Sequence, residues 1–245
     1  LCKEENRRAR TTLRVGPRVR LDPLRLARFR RGLLAWYGRY GRDLPWRHTR
    51  DPYAVLVSEM MLQQTQVRRV LAFYPRFLAR YPTVDELARA TPSAVREAWE
   101  GLGYYRRAES LHATARIVAE RHGGRFPALP DTLATLPGIG RYTAGAVASF
   151  AFGLDAPILD TNAARVLARV FGRGRRRGRT ARLWAIAGAA LPPGRAYAFN
   201  QAIMDLGAVV CTPRRPACPG CPVRRACRTF ADQRAALGRA PAAQR

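Results

Sequence analysis

The apolar positions of this chain recur at helical spacing, and the strict alternation expected of strands is scarce. The first helix opens at Asp22-Pro23, an acidic N-cap followed by a proline that suits the first helical turn. Leu24, Leu26, Phe29, Leu33, Leu34 and Tyr37 then form one face, which ends between Gly38 and Gly41. Leu44-Pro-Trp-Arg47 reads as an extended connector. Asp51-Pro52 caps a second helix, predicted to run to about Tyr74, where Pro75 interrupts it. Short helices over 84–90 and 93–99 are each announced by a Pro-Thr or Thr-Pro pair. Gly101-Leu-Gly-Tyr-Tyr105 is a turn feeding a helix that Gly123-Gly124 stops, and Pro130-Asp131 begins another short one. Further helices are predicted near 161–171, 180–190 and 195–209, with a basic loop over 172–179. The fold class is all-α.

Between the short helix at Pro130 and the one after Asp160 the pattern changes. Leu136-Pro-Gly-Ile-Gly-Arg-Tyr142 places Gly138 and Gly140 where a tight hairpin needs backbone freedom. The helix that starts near Tyr142 aims its positive end at that hairpin, an arrangement that binds phosphate through backbone N–H groups. Asp160 follows twenty residues after Gly140, between Ile158-Leu159 and a new helix. A phosphate clamp followed by a carboxylate suggests a DNA strand gripped beside a reactive centre. Taken singly, the glycines also suit a plain turn, and Asp160 also suits a plain N-cap.

Composition narrows the choice. The chain has 245 residues and a formal net charge of +27, which calls for a polyanionic partner. No apolar run approaches the roughly 18 residues that span a bilayer, and no signal-peptide pattern opens the chain, so nucleic acid fits better than membrane. The charge is almost all arginine; the only lysine is Lys3. Arginine is a poor nucleophile, so lysine-based imine chemistry has no internal residue to use. Four of the five cysteines form one cluster, Cys211-x6-Cys218-x2-Cys221-x5-Cys227. That spacing can ligate one compact metal centre, and by itself it leaves zinc and iron–sulfur both open.

A second acid, Glu59, lies on the Asp51-Pro52 helix among Val55, Leu56, Leu62 and Gln63. Apolar surroundings raise a carboxyl pKa and suit it to act as a general acid. Paired with an ionised Asp160, it would suit cleavage of a glycosidic bond through an oxocarbenium-like transition state.

Seven motifs occur in order: Leu44-Pro-Trp-Arg47, Ser58-Glu-x-Met-Leu-Gln-Gln-Thr-Gln66, Gly101-Leu-Gly-Tyr-Tyr105, Leu136 to Gly145, Asp160-x-Asn162, Phe199-Asn-Gln201 and the cysteine run. Together they resemble the MutY-type adenine DNA glycosylases of the helix–hairpin–helix superfamily, which includes endonuclease III. The resemblance implies two helical domains with DNA between them and a [4Fe–4S] cluster on Cys211, Cys218, Cys221 and Cys227. The implied organisation is a disordered basic arm over 1–20, an N-terminal helix of the cluster domain over 21–47, a multi-helix domain with the hairpin over 48–154, the cluster domain over 155–230 and a tail over 231–245. By resemblance, Glu59 protonates adenine and then assists water. Asp160 stabilises the sugar cation, with Asn162 and Tyr142 close by. Gln64 and Tyr104 fill the gap left by the flipped base, in the run that also holds Gln63, and Trp46, Arg47 and Gln201 line the adenine pocket. The amides around Gly138 and Gly140 hold a phosphate.

The implied reaction removes adenine opposite 8-oxoguanine or guanine in double-stranded DNA and leaves an abasic site. Tyr142 stands where the lyase branch places its lysine. The implied enzyme is a cytoplasmic, nucleoid-associated bacterial monomer. Two departures stand out: Thr161 replaces the glycine common between the aspartate and asparagine, and the chain stops at Arg245 without the MutT-like domain such proteins usually carry. A thymine glycosylase of G:T mismatches and a non-catalytic iron–sulfur DNA-binding module are the alternatives.

Overall fold

The structure, a computed structural model, describes residues 19–172 and 179–237. The predicted basic arm to residue 18, the centre of the basic loop and the last eight residues of the predicted tail lie outside the described residues. The described chain is helical and forms two units, one from Asp43–Ala156 and one joining residues 19–42 to residues 157–237.

In the second unit, helix α1 (Pro23–Tyr40) starts as its sequence predicts, with the Asp22 side chain accepting from the Leu24 N–H. Its buried face is narrower than predicted: Phe29 and Leu33 are fully buried, whereas Leu24 is 69% exposed. Phe29 meets Phe171 and Phe199 edge to face, at 5.1 and 6.0 Å between ring centres. Those rings belong to α9 (Thr161–Phe171) and α11 (Ala196–Asp205), while α10 (Arg179–Ala190) adds Ile186 and Ala187 to the same core. Arg30 of α1 donates to the carbonyls of Ala189, Ala190 and Leu191, closing the C-terminal end of α10. The predicted helix over 195–209 divides: α11 ends at Asp205, and Leu206–Val210 widens into a π-turn. The predicted tail begins as a helix, α12 (Arg228–Leu237), which packs on α9.

The first unit contains helices α2 (Pro52–Leu62), α3 (Val67–Arg80), α4 (Val84–Arg89), α5 (Pro92–Ala98), α6 (Arg106–His122), α7 (Pro130–Leu133) and α8 (Arg141–Phe150). Its core centres on Phe77, which stands edge-on to Trp99 at 5.7 Å and to Tyr81 at 5.3 Å. Pro45–Arg47, expected to be extended, is a short 3₁₀ turn, and its Trp46 packs edge-on to Tyr74 at 5.5 Å. The long helix predicted from Asp51 to Tyr74 is two helices. The break falls at Gln63–Gln66, where Gln64 takes φ 55°, and Pro75 lies inside α3 without ending it. Pro75 is tolerated because it faces solvent, where water satisfies the carbonyl that loses its partner.

Candidate active site

Helix α2 is apolar around its circumference, so it lies inside its unit: Tyr53 through Met61 are all buried. Glu59 is carried in with it and is 5% exposed. Asp51 anchors the start of α2 by accepting from the Tyr53 and Ala54 N–H groups at 3.2 and 3.0 Å. At the other end, Gln63 Nε2 lies 3.5 Å from Thr143 Oγ1 of α8. Gln64 is exposed, and Tyr104, with φ 48°, is 60% exposed.

Between α7 and α8 the chain makes the predicted hairpin. Gly138 has φ 73°, and a Cβ there would stand 2.5 Å from Ser110 Cβ, so both conformation and space require glycine. Thr114 Oγ1 donates to the Pro137 carbonyl at 3.0 Å and fixes the turn. Gly140 is the N-cap of α8, and no side chain caps that helix. Tyr142 sits in its first turn, partly buried.

In the second unit Asp160 is the N-cap of α9, with Oδ1 accepting from the Ala163 N–H at 2.6 Å. Its Oδ2 accepts from Asn162 Nδ2 at 3.0 Å, and Asn162 Oδ1 in turn accepts from Arg165 Nη2 at 2.7 Å. Arg165 continues to the Gly207 carbonyl at 2.7 Å and the Cys211 carbonyl at 2.8 Å. The π-turn makes this possible: a Cβ on Gly207 would lie 2.6 Å from Asn162 Cβ. Thr161, which replaces the common glycine, is exposed. Gln201 is 4% exposed on α11.

The four cysteines line one cavity of about 270 Å³, walled by Val166, Val170 and Val223. Among the described residues, no three His, Cys, Asp or Glu side chains are gathered as tightly as a single metal ion requires. Burial pushes the Cys221 thiol up to about 11 and the Cys227 thiol in the same direction, so thiolates there need a cationic partner. Arg169 Nη1 lies 3.2 Å from Cys211 Sγ and 2.8 Å from the Thr212 carbonyl. Its own backbone carbonyl accepts from Thr229 Oγ1 at 3.0 Å, so one residue ties together the two ends of the cysteine run.

The profile of the HhH-GPD superfamily base excision DNA repair proteins matches residues 57–185. This chain belongs to that superfamily. The chain is 47% identical over 219 residues to a human protein named adenine DNA glycosylase, covering 84% of this chain and 40% of that one. It is also 47% identical over 206 residues to an adenine DNA glycosylase of Mycobacterium tuberculosis, covering 78% of this chain and 64% of the relative. The chain therefore spans about half the length of the curated relatives it matches. A solved structure of a thermostable thymine-DNA glycosylase superposes with a TM-score of 0.79 at 32% identity, covering 85% of this chain and 98% of that one.

In this HhH-GPD protein the predicted residues fall into two sets. Trp46, Arg47, Glu59, Gln63, Gln64, Tyr104, Gly138, Gly140 and Tyr142 belong to the first unit; Asp160, Asn162, Gln201 and the cysteines belong to the second. The structure adds Ser110, Thr143, Arg165, Arg169 and Gly207, none of which the sequence singled out. For Arg165 a signal existed, because it lies one helical turn beyond Asn162 on α9. For Gly207 there was none, since only the π-turn brings it to Asn162.

Proposed function

We propose that this chain is a monofunctional DNA glycosylase that removes adenine mispaired with 8-oxoguanine or guanine in double-stranded DNA. The observation that carries the reading is Glu59, a carboxyl 5% exposed on a helix buried over its length. A glutamate enclosed in this way is suited to hand a proton to a departing base. Asp160, tied to Ala163 and Asn162, is the carboxylate we assign to stabilising the sugar cation. The relatives named adenine DNA glycosylase supply the base, and the Met61-Leu-Gln-Gln-Thr-Gln66 run agrees with them.

In the proposed reaction adenine is flipped out of the stack, since its bond to the sugar is unreachable inside a duplex. Gln64 and Tyr104 fill the gap, and Trp46, Arg47 and Gln201 line the pocket. The open start of α8 and the glycines before it hold a phosphate, which positions the strand without reading it. Exposed Arg214, Arg215, Arg224 and Arg225 lie on phosphates nearby. Glu59 protonates adenine, the bond breaks with Asp160 opposite the forming cation, and Glu59 assists water to attack the sugar carbon. Tyr142 takes the place of a lysine nucleophile, so the product is an abasic site in an unbroken strand. Cys211, Cys218, Cys221 and Cys227, which line one cavity, would hold a [4Fe–4S] cluster. When bound, the cluster supplies a rigid cross-link for the segment that presents those arginines. The protein acts as a monomer on bacterial nucleoid DNA.

The thermostable thymine-DNA glycosylase keeps a second reading in view: thymine opposite guanine. One assay separates them. Duplexes with adenine or thymine opposite guanine or 8-oxoguanine are incubated with the protein, and abasic sites are revealed by hot alkali. Adenine release is expected, with Glu59→Gln lowering it by about 10²–10⁴-fold at unchanged affinity. Thymine release alone would transfer the assignment, and excision of neither would reduce the protein to a DNA-binding module. Covalent capture by borohydride would contradict the absence of a lyase step.

A further inference from the structure

Among the described residues only Gln64 and Tyr104 adopt positive φ without being glycine, at 55° and 48°. Side chains in this region are strained, and they persist only where surrounding structure holds them. The two lie forty positions apart in sequence, in different loops, and both are exposed. One buried side chain serves both loops. Arg107, 7% exposed, donates through Nη1 to the carbonyls of Met60 at 3.0 Å, Met61 at 2.8 Å and Gln63. Through Nη2 it donates to the carbonyls of Leu102 at 3.3 Å and Gly103 at 3.0 Å, and its Nε reaches the Tyr104 carbonyl at 3.4 Å. Its guanidinium also lies over the rings of Trp99 and Tyr104, at 5.5 and 5.4 Å.

None of these partners is a carboxylate. Burial accordingly draws the Arg107 pKa down, and the backbone oxygens at the negative end of α2 carry the burden of holding the cation. Spending a buried charge on backbone alone makes sense if the position of that backbone matters. A planar fork that serves both loops at once does what a lysine ammonium, with three donors at one point, cannot.

We infer that Arg107 is a positioning residue that holds Gln64 and Tyr104 in one rigid arrangement, so that the two enter the DNA stack as a single wedge. The inference rests on the base-flipping role proposed above for those two residues. Arg107 is placed to touch neither the base nor the sugar; it acts through the loops.

The test compares wild type with Arg107→Lys, and with Arg107→Gln as a second variant, on two substrates. One is a paired duplex with adenine opposite guanine; the other carries the adenine in a single-nucleotide bulge, where unstacking costs least. A positioning role predicts a loss of about 10–100-fold on the paired duplex and a much smaller loss on the bulge. The same loss should vanish in a Tyr104→Ala background, where the double variant is no slower than the single one. Equal losses on both substrates would overturn the inference, because they would mean only a damaged fold or a displaced Glu59. So would a wild-type rate for both Arg107 variants alongside a slow Tyr104→Ala. No adenine release by the wild type on either substrate would overturn the base-removal reading and this inference with it. Glu59→Gln, which should lose both substrates equally, marks the difference between chemistry and wedge.

Discussion

Asn162 donates to Asp160 across 3.0 Å, and this bond leaves neither carboxylate oxygen idle, because the other accepts from the Ala163 N–H at 2.6 Å. Asp160 thus combines a structural duty, capping α9, with the proposed electrostatic one, and two substitutions separate them. Asp160→Asn retains an oxygen for the cap and removes the charge. It should melt near the wild type, yet lose about 10²-fold or more in single-turnover adenine release. Asp160→Ala should lose the same activity and in addition about 1 kcal/mol of stability from the missing cap. Wild-type excision by Asp160→Asn would leave Asp160 a helix cap and nothing more.

Gly138 and Gly140 look equivalent in sequence and are not equivalent in the fold. Gly138 combines φ 73° with a Cβ position 2.5 Å from Ser110 Cβ, whereas nothing lies within 4 Å of a Cβ on Gly140. Gly138→Ala should therefore shift the hairpin and withdraw its amides from the proposed phosphate, while Gly140→Ala stays close to wild type. Losing one phosphate contact reduces the slope of log K against log salt by about one. Fluorescence-anisotropy titrations of a DNA duplex at several salt concentrations would check this. Unchanged binding by Gly138→Ala would remove the hairpin from the DNA interface.

Two buried tyrosines couple the first unit to alkaline pH. Tyr53 donates its hydroxyl to the Tyr81 carbonyl at 2.8 Å, and burial, with Asp51 and Glu86 adding to it, pushes its pKa well above the usual tyrosine range. Burial and Asp51 push Tyr74 up to about 12. The folded protein thus holds both protons more tightly than the unfolded chain, where tyrosine titrates near about 10. Their contribution to stability is complete below pH about 10 and is lost as pH rises through 10 towards 12 and beyond. Urea unfolding at stepped alkaline pH should show stability falling in that window, with a shallower fall in Tyr53→Phe. An identical slope in the variant would deny Tyr53 any part in the linkage.

What sequence disclosed and what it hid follow a physical division. Helix starts were legible because their signals are local: Asp22-Pro23 and Asp51-Pro52 each form the N-cap bonds that their residue types favour. The burial of Glu59 was legible from the apolar residues flanking it on both sides. The break at Gln63–Gln66 was not, because the side chain that satisfies the carbonyls left open there belongs to Arg107, more than forty positions away. Pro75 misled for the opposite reason: its local cost is real, but an exposed position lets water absorb it. The link from Asp160 through Asn162 to Arg165 was half visible in the Asp-x-Asn spacing. Its far end, on Gly207 and Cys211, depends on a π-turn that carries no local signal.

Arg169 offers a measurement on the cysteine cavity that does not pass through catalysis. Its guanidinium donates to Cys211 Sγ at 3.2 Å, and its other hydrogen bonds to Thr212 and Pro213 carbonyls keep it there. A cationic hydrogen bond favours the more negative of two redox states, so it raises the reduction potential of a cluster ligated by that sulfur. Arg169→Gln, which keeps a neutral donor, should still assemble a cluster with roughly four irons per chain. Its potential should fall by an amount on the order of tens of millivolts, given that 59 mV corresponds to tenfold for one electron. Arg169→Leu removes the donor altogether and should fall further, with iron lost more rapidly to a chelator because the clamp on the cysteine run is gone as well. Protein-film voltammetry, with iron and zinc quantified on the same preparations, reads all three quantities. Stoichiometric zinc in place of iron would discard the cluster, and a potential unmoved in both variants would deny Arg169 any hold on the Cys211 sulfur.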